Sequence, residues 1–198
     1  PPAYRDPAIA IADPKNAIVN FASVSFSDPF SWMGHVSRTS PPSPEWQAWA
    51  RREGFILPGG HFCDRARQHL AAVQTPDANE KILKEQLDAA HREPIHAVAM
   101  LADRYPGDPE MQVRVSIACW DGFGRSLQTK QEVEPGKSWQ VGENGELILD
   151  SDGKPVEADV PRRWRVSEPV EYNNKGEKVR IYRPYFADQP RYINDRSM

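Results

Sequence analysis

The chain has 198 residues, enough for one ordinary domain or for one domain with a small appendage. Its formal net charge is −3, with 25 basic residues interspersed among 28 acidic ones, so it carries no electrostatic footprint for nucleic acid or for direct contact with an anionic membrane. Only 39% of residues are hydrophobic while 19 are proline and 12 glycine, which predicts many turns and little deep core; Cys63 and Cys119 alone make no disulfide framework. No stretch is apolar over the length of a membrane span, and the opening Pro1 to Pro7 has no basic region leading into an apolar core. The missing initiator Met and the end at Asp195 to Met198 read as a piece of a longer chain.

Residues 1–42 read as an irregular lead-in followed by a first β segment. Within it Ala8 to Ala12 is a short extended piece, and Ala17 to Phe26 is a strand with Ala22, Val24 and Phe26 on one face, stopped by Asp28 and Pro29. Phe30 to Val36 reads as a second extended segment. Over 43–93 the period changes to helical. Ser43 and Pro44 are a cap and first-turn pair for a helix carrying Trp46, Trp49 and Ala50 on one face and ending near Gly54. Phe62, Ala66, Leu70 and Val73 mark a second helix. A third has Thr75 as cap, Ile82, Leu83, Leu87 and Ala90 as its stripe, and Glu80 with Lys84 as a supporting pair. These three helices read as an insertion into a strand-rich chain.

Residues 94–198 return to strand chemistry, with Ala97 to Ala102 followed by the cleanest strand in the sequence. Val113, Val115, Ile117 and Cys119 alternate with polar or small residues, the two-residue period of a half-buried strand. It runs through Trp120 into Asp121-Gly122-Phe123-Gly124, whose two glycines are expected to supply positive φ, and Arg125 opens a second alternating run, so the pair is a hairpin. Further turns fall at Glu134 to Gly136, Glu143 to Gly145, Asp150 to Gly153 and Asn173 to Gly176, with extended runs at Trp164 to Val166 and Lys178 to Tyr185. The spacing predicts a mainly β fold, an antiparallel meander. The turns are loosely self-similar: Gly124, Gly153 and Gly176 stand 29 and 23 residues apart, and the stretches that hold Asp121, Asp152 and Tyr172 each place a polar turn and a glycine before a strand.

Trp120 to Gln128 resembles the tyrosine-aspartate turn of RHS/YD-repeat proteins, with Trp120 in place of the usual Tyr. In order along the chain, Ser27 to Met33, Asp103 to Asp108, Asp121 to Gln128, Glu134 to Trp139, Tyr172 to Gly176 and Tyr182 to Phe186 resemble the B component of bacterial insecticidal toxin complexes, the Tc toxins. These blocks lie within 14–35 and 94–198; the helical stretch carries none of them. The resemblance implies a YD/RHS-type β-strip with a three-helix insertion, one piece of a shell that encloses a toxin payload. It implies as partners the C component with its enclosed cytotoxic segment and, through the rest of the parent chain, the pore-forming A component. It further implies a secreted assembly and a structural repeat motif made by Trp120, Asp121, Gly122, Phe123, Gly124, Arg125, Asp152, Gly153, Tyr172 and Gly176. The family's self-cleaving residues belong to the C component, so the resemblance assigns no catalytic residue here.

Asp150, Asp152 and Gly153 resemble the start of a calcium loop, but the later ligands are absent and a hairpin turn is the better reading. His61, Cys63 and His69 lack the companion spacing of a zinc or thiol site. Trp46, Trp49, Trp120, Trp139 and Trp164 are the residue type that lines sugar sites and, more often, packs between strands; a carbohydrate- or protein-receptor-binding module acting through the helical segment is the alternative function. Arg162 to Arg165 is a basic cluster with an aromatic, read as a solvated strand edge. No catalytic residue, cofactor or metal is expected, and the chain is expected not to be an enzyme.

Overall fold

The computed structural model describes residues 7–38, 40–142, 145–167 and 169–193. The first six residues of the expected lead-in, Glu143 and Asn144 of one expected turn, and residues 194–198 lie outside these. The chain divides into two compact units, one made of Pro1–Asp28 with Pro94–Met198 and the other of Pro29–Glu93.

The first unit begins with two short helices, α1 (Pro7–Ala12) and α2 (Pro14–Ile18), where an extended piece and the start of a strand were expected. Pro14 sits preset for the first turn of α2, and the Asp13 carboxylate accepts from Asn16 N–H, so local capping overrides the β-branched character of the run. Strand β1 therefore starts only at Ser23 and runs to Asp28. It is followed in this unit by β2 (Ile95–Ala102), β3 (Val113–Trp120), β4 (Ser126–Val133), β5 (Gly136–Trp139), β6 (Glu157–Val160), β7 (Arg163–Ser167), β8 (Val170–Tyr172), β9 (Lys178–Ile181) and β10 (Tyr185–Ala187). Eight of them form one sheet in the order β1-β2-β3-β4-β7-β10-β5-β6, while β8 and β9 form a separate hairpin. The sheet is mostly antiparallel, as expected of a mainly β chain, but the meander holds only from β1 to β4. Beyond β4 the chain skips outward to β5 and β6 and returns through β7. β10 then inserts between β7 and β5, parallel to β5.

One sheet face is packed. Ala10, Ile11, Ala17 and Ile18 of the short helices bury against Val98, Met100, Val115, Ile117, Cys119 and Trp164. Further along, Val141, Leu147, Val166, Tyr185, Ala187 and Ile193 make a second cluster. The β3 alternation read in the sequence is seen directly: Val115, Ile117 and Cys119 are buried and Arg114 and Ser116 exposed. Neither cysteine is in a disulfide, Cys63 being half-buried and Cys119 buried.

In the second unit, Phe30 to Val36 is not an extended segment. Ser31–Met33 is a single 3-10 turn, and only His35 makes a β-bridge, to His61. Helices α3 (Pro44–Arg52), α4 (Asp64–Ala72) and α5 (Ala78–Asp88) follow. Ser43 caps α3 as read, accepting from Trp46 N–H. The cap of α5 is Asp77 rather than Thr75, because Asp77 and Glu80 exchange side-chain and backbone hydrogen bonds at 2.8 and 2.9 Å. Glu80 also holds His69 at 2.6 Å, so it is spent on these partners rather than on Lys84. Trp46, Ala50, Phe55, Ile56, Phe62, Ala66 and Leu83 form the core, with Phe62 before α4 rather than on it.

Candidate functional site

The repeat signalled by the glycines is an atomic repeat. In the β3–β4 turn, Asp121 Oδ1 accepts from the N–H groups of Phe123 and Arg125, both at 2.9 Å, while Asp121 O accepts from Gly124 N–H at 3.0 Å and Asp121 N–H donates to Arg125 O at 3.0 Å. At Asp150 the same four bonds recur, with Asp152, Gly153 and Lys154 in the corresponding places at 2.8 to 3.0 Å. At Asn173 they recur again, with Lys175, Gly176 and Glu177 at 2.9 to 3.0 Å. Each turn thus needs a short side-chain acceptor at its first position, to satisfy two backbone donors, and a residue tolerating positive φ at its fourth. Gly124, Gly153 and Gly176 have φ of 76°, 75° and 82°. A fourth turn, Gly142 to Glu146, keeps the same backbone bonds without a side-chain acceptor at its first position. Gly122 departs from expectation: it does not adopt positive φ, so only the second glycine of that turn is conformationally required.

The residue after the fourth position finishes each turn differently. Arg125 Nε donates to Asp121 Oδ2 at 2.6 Å, whereas Asn173 Nδ2 donates to Glu177 Oε2 at 2.8 Å. Burial pushes the Asp121 carboxyl up, but the bonds from Arg125 N–H, the Arg125 guanidinium and Phe123 N–H outweigh it and hold the group below the usual carboxylate range.

The first and third turns meet. The Arg125 guanidinium lies over the Tyr172 ring, 4.5 Å from its centroid, and Tyr172 donates its hydroxyl to Ser126 O at 3.0 Å. A Cβ placed on Gly176 would stand 3.2 Å from Arg125 Nη1, so the absence of a side chain there admits the arginine. Phe123, also under the Arg125 charge at 5.3 Å, is exposed at the tip, and Trp120 is half-buried opposite Ser126. Of the ten residues of the expected motif, Trp120, Asp121, Gly122, Phe123, Gly124, Arg125, Tyr172 and Gly176 therefore come together at one end of β3, β4 and the β8–β9 hairpin. Asp152 and Gly153 form their own exposed turn elsewhere.

Two residues that the pattern did not single out hold the end of the described chain. Gln128 and Lys130 of β4 are buried, at 1% and 2% exposure, because they stand opposite Cys119 and Ile117 and share their packed face. Gln128 exchanges hydrogen bonds with the backbone of Ile193, and Lys130 donates to Gln189 O and Arg191 O. Asp188 adds a bond from Val141 N–H, and burial pushes its carboxyl up. The signal was available in the register: a residue facing a buried partner across an antiparallel pair must point the same way.

The remaining sequence candidates have structural occupations. The Asp150 carboxylate serves its turn, and among the described residues no group of three or more His, Cys, Asp or Glu is placed to hold a metal ion. His61 packs against the rings of Phe30 and His35, His69 against Phe55 and Glu80, and Cys63 precedes α4 as its cap residue. Trp46 and Trp49 are neighbours in the core of the second unit, with Trp46 Nε1 donating to Asn79 O. Trp164 is buried, Trp139 stacks on Tyr185, Arg162 pairs with Glu132 through two bonds, and Arg163 lies over Phe186.

No protein-family model matches the chain, and no curated protein does. Solved structures do. A crystal structure of TcdB2-TccC3 without its hypervariable C-terminal region matches 87% of this chain at 30% identity and a TM-score of 0.68. A crystal structure of TcdB2-TccC3-Cdc42 matches 91% at 31% identity and 0.70. The Tc holotoxin pore of Photorhabdus luminescens matches 91% at 31% and 0.69. In each case this chain spans 8% of the other chain's length. The resemblance to a Tc toxin component read in the sequence is borne out. The coverage also reaches into the helical stretch 43–93, which shares no block with the turns.

Proposed function

We propose, from the premise that the chain is a segment of a Tc toxin-complex component, that it is a length of wall in an RHS-type shell enclosing a toxin payload. One observation carries the reading: the side-chain-locked glycine turn recurs three times with the same bonds, and the first and third copies are clamped together by Arg125 and Tyr172. A strip built from repeated rungs, each satisfying the polar groups of its own turn and packing against neighbouring rungs, can extend into a wall. In this reading the chain does no chemistry. Asp121 and Arg125 spend their charge on each other, and Asp150 and Asn173 spend their side chains on backbone donors. The partners are a C component with its enclosed cytotoxic segment and, through the rest of the parent chain, a pore-forming A component, all in a secreted assembly. Among the described residues no helix is long and apolar enough to cross a membrane.

Limited proteolysis of the full complex tests this. The cytotoxic segment is expected to survive trypsin inside the intact complex and to be degraded once the complex is opened by denaturant. Cleavage of the segment at the same rate in both conditions would contradict the proposal.

A further inference from the structure

The unpacked face of the eight-stranded sheet has a composition of its own. One row crosses six strands in register, Ser25, Ala99, Ser116, Gln131, Arg165 and Phe186, and every member is exposed. The next rows add Leu101 beside Arg114, and Val133 beside Arg163. On β1, β2, β3, β4, β7 and β10 the only carboxylates are Asp28 and Glu132, and neither is on this face. Asp28 is buried, and Glu132 stands opposite the buried Trp164, where it is neutralised by Arg162. Three arginines and no acid thus share one face of a chain in which acids outnumber bases. Among the described residues Arg114 and Arg165 have no ion-pair partner, whereas Arg163 is already engaged, donating to the carbonyls of Glu134 and Lys137 and lying over the Phe186 ring.

We infer that this open face docks an acidic polypeptide segment. Arg114 and Arg165 supply positive charge for the segment's carboxylates, Ser116 and Gln131 supply hydrogen-bonding groups between them, and the exposed Leu101 supplies apolar footing for the segment's other side chains. A nucleic acid would need a denser basic track than three arginines on six strands. The inference does not depend on the shell reading, since it rests on the charge of one face rather than on the repeated turns.

Fluorescence anisotropy of a labelled oligoglutamate peptide, titrated with the 198-residue chain, tests it. The peptide binds in a salt-sensitive manner, and Arg114→Glu with Arg165→Glu weakens binding by about tenfold or more, as two reversed surface charges should. The pair Arg114→Lys with Arg165→Lys, which keeps both charges on the same sheet, retains binding and guards against loss of fold. Unaltered binding by the doubly reversed variant, loss in the lysine pair, stronger binding of oligolysine, or preferential binding of single-stranded nucleic acid would each overturn the inference.

Discussion

The guanidinium of Arg125 stands 4.5 Å from the centroid of the Tyr172 ring while its Nε is held 2.6 Å from Asp121 Oδ2, so one side chain closes its own turn and grips the β8–β9 hairpin. Removing the ring should cost both the cation–π contact and the hydroxyl bond to Ser126 O. Tyr172→Ala is expected to lower stability by about 1 to 2 kcal/mol, and Tyr172→Phe by less because it keeps the ring. Chemical denaturation of the two variants beside the parent measures the difference.

The two glycines of the β3–β4 turn are predicted to respond differently. No atom lies within 4 Å of a Cβ built on either, so the contrast is purely one of backbone. Gly124, at φ 76°, should lose about 1 to 3 kcal/mol on substitution by Val. Gly122→Ala, at an ordinary φ, should be neutral or stabilising by a few tenths of a kcal/mol, through the unfolded chain. Equal thermal shifts for the two would show that the turn is not set by φ.

Lys130 is predicted to be the most sensitive surface-type residue of the sheet. Lys130→Ala leaves a void and strips a donor from the carbonyls of Gln189 and Arg191, at a cost of about 2 to 4 kcal/mol. The same change should expose the segment from Tyr185 to Ile193 to protease before the rest of the sheet, and mass spectrometry of early cleavage products reads this directly.

Acid should weaken the first turn. The Asp121 carboxyl sits below the usual range in the fold, so on acidification the unfolded chain takes up the proton first. The stabilisation is present above the unfolded value of about 4 and is lost as pH falls through the lower folded value. Asp188, raised by burial, works in the opposite sense, since the fold accepts its proton first and acidification relieves the cost of burying its charge. The stability gap between the parent and Asp121→Asn should therefore narrow as pH drops below about 4, measured by denaturant midpoints at stepped pH. A gap independent of pH would remove the charge from the account.

What the sequence disclosed and what it concealed follow from range. The β3 alternation, the Ser43 cap and the repeated Asx-to-glycine turns are local, and each was legible because its partners lie within a few residues. The Arg125–Tyr172 grip and the hydrogen bonds from Gln128 and Lys130 to the segment from Gln189 to Ile193 depend on pairings 46 to 65 residues apart, which no local pattern encodes. The insertion of β10 beside β5 is of the same kind, resting on the single register pair Ala187 and Trp139. The start of β1 was misplaced for a different reason: Asp13 and Pro14 cap a helix strongly enough to override β-branched residues that follow.

The shell reading makes one claim above the others, that these rungs form a wall around an enclosed chain. Electron cryomicroscopy of the full complex, with density assigned to Val113–Trp120, Ser126–Val133 and Tyr185–Ala187, tests it most directly. The account predicts these strands in a closed wall, continued by further rungs on both sides, with unassigned density inside. Strands standing outside any closed cavity, or a cavity that never holds the cytotoxic segment, would contradict it.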